Sequence, residues 1–131
     1  MNFFVFPLVF FCVMKKIEKN IRLYVAGWNE TTPEAIKAAF GECCIQEVTY
    51  TDKTTPQFTG LELLVGLVME SYTKVPGRTF SLLTEPECFE GKAYYTWGLH
   101  LPDKAPRPGH DFLEYNEDGL ITRIVGFLPV S

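Results

Sequence analysis

Three polar side chains, Tyr24, Asp52 and Asp111, stand in the chain where acid–base chemistry could use them. Tyr24 falls on the apolar face of a helix, and a buried phenol usually needs a partner for its hydroxyl. Asp52 follows a strand ending at Tyr50 and precedes a loop around Pro56, close to where a sheet edge meets a helical layer. Asp111 shares a strand face with Leu113 and Tyr115, while His110, Phe112 and Glu114 point the other way. A carboxyl on an apolar face should hold its proton more tightly than one in water. Each residue also has a plain reading: a core tyrosine, a turn-forming aspartate, and a strand-start aspartate still wet at the sheet rim. The residues alone leave both readings open.

Other candidates are weaker. Trp97 lies with Tyr95, Leu99 and Leu101 on one strand face, and Trp28 lies on the helix face with Tyr24, so either tryptophan serves as core or as the wall of a pocket. His110 and Asp111 are strand neighbours pointing to opposite faces, which argues against a dyad, and His100 has no distinguishing context. With these two histidines and no C-x-x-C spacing among Cys12, Cys43, Cys44 and Cys88, a zinc site has too few ligands. No metal and no cofactor are expected. The cysteines read as reduced, buried thiols of a cytoplasmic protein. A net charge of −4, with Lys and Arg scattered, lacks the footprint that phosphate-backbone binding requires, so no nucleic acid is expected as partner.

The elements that must carry these residues follow from periodicity. Ile17, Ile21, Tyr24, Val25 and Trp28 recur at steps of four, three, one and three, one face of a helix ending near Asn29. Thr31-Thr32-Pro33-Glu34 supplies a cap hydroxyl, a first-turn proline and an acidic first turn for a second helix, expected to run through Phe40 and stop at Gly41. Residues 45–50 alternate as a strand, 51–59 read as a loop, and Gly60 opens a third helix over 61–75, apolar around most of its circumference and so expected to bury two sides. Period two then persists over 79–89, 93–101, 110–116 and 121–128, four strands joined by turns at Glu90-Gly91-Lys92 and Asn116–Gly119 and by a longer proline-rich link. Helices first and a hairpin-linked sheet afterwards give an α+β class with a mostly antiparallel sheet, one face covered by helices.

At 131 residues the chain has room for one domain, expected over 15–131, preceded by an apolar extension over 1–14. That extension lacks the leading positive charge and small-residue cleavage site of a signal peptide, and twelve apolar residues are too few to span a bilayer. Met14 is an alternative start. Otherwise the segment packs as an extra strand or against a partner chain, or anchors to a membrane; no membrane partner is expected.

Three segments resemble the nuclear transport factor 2-like superfamily, and within it the SnoaL-like polyketide cyclases and ketosteroid isomerases. They are Leu23 to Asn29; Val48 to Asp52 continuing to Phe58-Thr-Gly60; and Gly109-His-Asp-Phe112 continuing to Asp118–Ile121 and Gly126-Phe127. The likeness spans residues 17–130. It implies a cone-shaped α+β barrel, a curved sheet wrapped by three helices and open at one end to a pocket, often dimeric through the sheet. It implies Asp52 as a general base, and Tyr24 with a protonated Asp111 as donors to an enolate oxygen. Trp28, Phe58, Tyr95, Trp97, Leu113 and Tyr115 are expected to line the pocket. The function implied is isomerase, cyclase or dehydratase chemistry by proton abstraction beside a carbonyl on a small apolar substrate; the alternative is a noncatalytic ligand-binding or dimerisation module. The isomerases follow their base with proline where Lys53 stands here, and the loop to Gly60 is about one residue shorter.

Overall fold

The structure, a computed structural model, describes residues 5–130, with side chains from residue 12 onward. The elements run α1 (Val5–Gly27), α2 (Pro33–Cys43), β1 (Cys44–Asp52), β2 (Thr55–Thr59), α3 (Leu61–Lys74), β3 (Thr79–Leu82), β4 (Glu87–Phe89), β5 (Lys92–His100), β6 (Arg107–Tyr115) and β7 (Ile121–Phe127). This is the expected α+β class, with more strand than periodicity alone revealed.

Each helix forms for a local reason. The α1 face carrying Ile17, Ile21, Tyr24 and Val25 is buried, and its helix already begins at Val5, so residues 5–14 form no extra strand. Expectations for side chains 1–11 lie outside the described residues. Thr32 caps α2 as its sequence suggests, accepting from the Ala35 amide at 3.2 Å. Gly41 does not end α2, which continues to Cys43 because Cys43 is fully buried and completes the face begun by Ile36 and Phe40. In α3 the buried residues Leu61, Leu64, Val65 and Val68 fall on one stripe, while Leu63 is 57% exposed, so this helix buries one side, not two.

The sheet runs β2-β1-β7-β6-β5-β3, with β4 also on β5. Every pairing is antiparallel except β1 with β7. The presumed loop over 51–59 is instead a hairpin: β2 folds back on β1 with Tyr50 opposite Phe58, and β2 is an edge strand, where Pro56 need donate nothing inward. The expected strand 79–89 is two, β3 and β4, split around Thr84-Glu85-Pro86 and paired with opposite halves of β5. The strand expected from His110 begins at Arg107, which shortens the proline-rich link.

Two side chains fasten the helical layer to the sheet. Asn20, 5% exposed, donates to the Gly119 carbonyl at 2.7 Å, holding α1 against the β6–β7 turn. Asn29 makes a reciprocal pair with the Phe80 backbone, accepting at 2.7 Å and donating at 2.9 Å, which fixes the end of α1 to β3. Between these anchors the two layers enclose a cavity. Among the described residues no helix is long and apolar enough to cross a membrane.

Candidate active site

A cavity of about 510 Å³ opens between α1, α3 and the inner sheet face, and Tyr24, Asp52 and Asp111 all line it. Strand register explains how the sheet residues meet. Asp111 pairs across to Tyr95 on one side and to Gly126 on the other. A Cβ at Gly126 would lie 3.1 Å from the Tyr50 hydroxyl and 3.5 Å from both Asp111 Oδ1 and Asp52 Cβ, so the missing side chain is the space in which these groups converge. Gly109, opposite Trp97, does the same for the indole: any Cβ there would overlap its six-membered ring.

Asp111 is 7% exposed and accepts two hydrogen bonds, from the Tyr95 hydroxyl to Oδ2 at 2.6 Å and from Trp97 Nε1 to Oδ1 at 3.0 Å. Burial pushes its pKa up to about 6, against the pull of those two donors, and the Asp52 charge adds to the rise. Tyr24 does not hydrogen-bond to Asp111. Burial raises its pKa far up, with Asp111 and Tyr50 adding to the effect and the Trp28 indole opposing it. Its hydroxyl is therefore a neutral donor at any working pH.

Asp52 ends β1, and three donors orient its carboxylate. The Tyr50 hydroxyl reaches Oδ2 at 2.7 Å, while the Thr54 amide and hydroxyl reach Oδ1 at 2.8 and 3.0 Å. A carboxylate has about four lone-pair sites, so both on Oδ1 are taken and one on Oδ2 is left. Lys53 is exposed and makes no ion pair with Asp52.

Trp28 and Trp97 line the cavity as expected positions; Phe58, Tyr95, Leu113 and Tyr115 do not. Phe58 stands behind Tyr50, ring against ring at 5.7 Å, which screens it from the space. Tyr95 is 1% exposed with its hydroxyl spent on Asp111, and Leu113 is sealed in the core. Tyr115 lies at the far end of the strand face, its hydroxyl 3.7 Å from Met14 Sδ under α1. Of the cysteines, Cys43, Cys44 and Cys88 are buried thiols but Cys12 is exposed, and none forms a disulfide.

Sequence reasoning missed Tyr50, Phe80 and Arg78. Tyr50 sits one strand period before Asp52, which is the spacing that lets its hydroxyl reach the carboxylate; that spacing was visible. Arg78, 2% exposed, lines the cavity beside Trp28 and Phe80. A lone arginine after Pro76-Gly77 carries no sequence sign of burial.

No family model matches this chain, and no curated protein matches it significantly. Solved structures do. A candidate isomerase of the SnoaL-like family from Agrobacterium tumefaciens str. C58 matches with a TM-score of 0.79 at 26% identity, covering 88% of this chain and 99% of its own. A candidate SnoaL-like polyketide cyclase from Jannaschia sp. CCS1 gives 0.69 at 11% identity, over 86% and 85% of the two chains. A protein of ketosteroid isomerase-like fold from Catenulispora acidiphila, solved in complex with trimethylamine, gives 0.68 at 17% identity over 86% of each. The fold is that of the nuclear transport factor 2-like superfamily. The structures it matches include SnoaL-like and ketosteroid isomerase-like proteins, the group to which the sequence motifs pointed.

Proposed function

We propose that the cavity binds a small, largely apolar carbonyl compound and that Asp52 removes a proton from the carbon beside the carbonyl. The C–H bond breaks, its proton going to the vacant lone pair on Oδ2 and its electron pair forming a C=C bond, while the carbonyl π pair moves onto the oxygen to give an enolate. Tyr24 and protonated Asp111 donate to that oxygen, and a donor aimed at developing charge contributes about 3 kcal/mol to the transition state. Return of the proton from Asp52 at another carbon completes an isomerisation; attack of the enolate carbon on a second carbonyl, whose new alkoxide takes that proton, completes a cyclisation; loss of a β-hydroxyl, leaving as water with that proton, completes a dehydration. The observation that carries this reading is the convergence of one carboxylate, one buried phenol and one carboxyl of raised pKa on a single cavity.

The sheet's outer face supports a homodimer. Tyr94, Phe112 and Val125 form a cross-strand row there, next to Phe127, which is 53% exposed. The free thiols suit a reducing compartment, which supports a cytoplasmic location as part of this reading. A second reading, a noncatalytic ligand-binding or dimerisation module, is favoured by the three hydrogen bonds Asp52 already accepts.

Proton exchange separates the two. In D₂O, with 2-acetylnaphthalene as probe, the catalytic reading expects the wild type to speed deuteration of the methyl group and Asp52→Asn to lose about a hundredfold of that rate or more. A probe that binds without any acceleration over buffer supports the noncatalytic module instead.

A further inference from the structure

Arg78 is the one buried cation among the described residues, and it has no anionic partner there. Its Nε donates to Ser71 Oγ at 2.9 Å, one terminal nitrogen to the Trp28 carbonyl at 2.8 Å and the other to the Val68 carbonyl at 3.1 Å. A guanidinium has five N–H groups, so one on each terminal nitrogen is left without a protein acceptor. The guanidinium carbon lies 4.8 Å from the Phe80 ring centroid, 5.7 Å from Tyr72 and 6.0 Å from Trp28, and Phe80 and Trp28 line the same cavity as Arg78. Desolvation lowers its pKa, and its contacts are with α3, the C-terminal end of α1 and Phe80 of β3, whereas Asp52 and Asp111 project from β1 and β6. Glu70 and Lys74, also on the wall, are exposed and neutralise each other at 2.7 Å.

A buried charge is costly unless something compensates it. Carbonyl dipoles and ring faces compensate this one only in part. We propose that the Arg78 end of the cavity binds a carboxylate, so that the ligand is an apolar carbonyl compound with an anionic group remote from its reacting carbon. Two donors on a planar guanidinium suit the two oxygens of a carboxylate, and the flanking rings exclude water from the pair. This rests on the cavity being a ligand site, as in the proposed function, and not on catalysis within it.

The test is a matched pair of probes, 2-naphthoate and 2-naphthamide, titrated against the full chain while following tryptophan fluorescence, since Trp28 and Trp97 line the space. Naphthoate is expected to bind at least about tenfold tighter than naphthamide, the size expected of a hydrogen-bonded charge. Arg78→Gln should erase that preference, while Arg78→Lys should retain part of it. Should these variants fail to fold, ¹⁵N NMR of the wild type reads the same point, with the Arg78 Nε–H resonance moving on addition of naphthoate and staying in place with naphthamide. Equal binding of the two probes, a preference that survives in Arg78→Gln, or an unmoved Arg78 resonance would overturn the carboxylate assignment while leaving the cavity a ligand site. If neither probe binds, both readings fall.

Discussion

Replacing Asp111 by Asn should remove a defined pH dependence from the protein's stability. The folded-state pKa is raised from the ordinary 3.8 to about 6, chiefly by burial. Between these values the folded chain holds a proton that the unfolded chain has lost, so the unfolded state binds fewer protons and stability falls as pH rises. The contribution is fully present below about pH 4 and is lost above about pH 6. At about 1.4 kcal/mol per pH unit the difference is about 3 kcal/mol. Asparagine keeps both contacts, its carbonyl oxygen accepting from Trp97 Nε1 and its amide donating to a reoriented Tyr95 hydroxyl, but it does not titrate. Urea unfolding of both proteins at pH 4 and pH 7.5 gives four free energies. The gap between variant and wild type should shift in the variant's favour by about 2.5 kcal/mol at the higher pH, with all other titrating groups cancelling. A gap that stays constant from pH 4 to 7.5 would refute the raised pKa and, with it, the case for Asp111 as a proton-bearing donor.

The same titration governs rate. Proton abstraction should slow as pH rises through about 6 in the wild type, and a pH–rate profile of Asp111→Asn should lack that limb, because its amide remains a donor throughout. Tyr50→Phe removes one donor from Asp52 and should cost about 1–2 kcal/mol in urea unfolding. Gly109→Val should displace Trp97, break its bond to Asp111 and cost about 2 kcal/mol or more, with a shifted tryptophan emission as the optical sign. Thr32→Ala should cost about 1 kcal/mol through the lost cap on α2, while leaving naphthamide binding unchanged.

Much of the fold was legible because its signals are local. The cap at Thr32, the period of α1 and the alternation of β5, β6 and β7 depend on residues within a few positions of each other. The hairpin partner β2 was not, since its threonines and Pro56 read as a loop until β1 supplies the other half of the ladder. Asp111 could be assigned an inward face from period two alone, yet its two partners could not be found that way. Tyr95 and Trp97 reach it from the adjacent strand only in one register, set by Gly109 lying opposite Trp97. Leu113 and Tyr115 share the face of Asp111 but not its cavity, because period two fixes a side of the sheet and says nothing of how far along it the helices close. Arg78 was invisible for the opposite reason: its burial comes from Trp28, Val68 and Ser71, all distant or on another element.

In the proposed function, one cavity brings an oxygen anion to Tyr24 and Asp111 with Asp52 at hand. A crystal structure with 2-naphthol, whose oxygen stands in for an enolate, tests it most directly. The naphthol oxygen is expected about 2.5–3 Å from both the Tyr24 hydroxyl and an Asp111 carboxyl oxygen, with the ring between Trp28 and Trp97 and an edge carbon facing Asp52 Oδ2. Naphthol seated elsewhere, or in the cavity with its oxygen turned away from both donors, would contradict it.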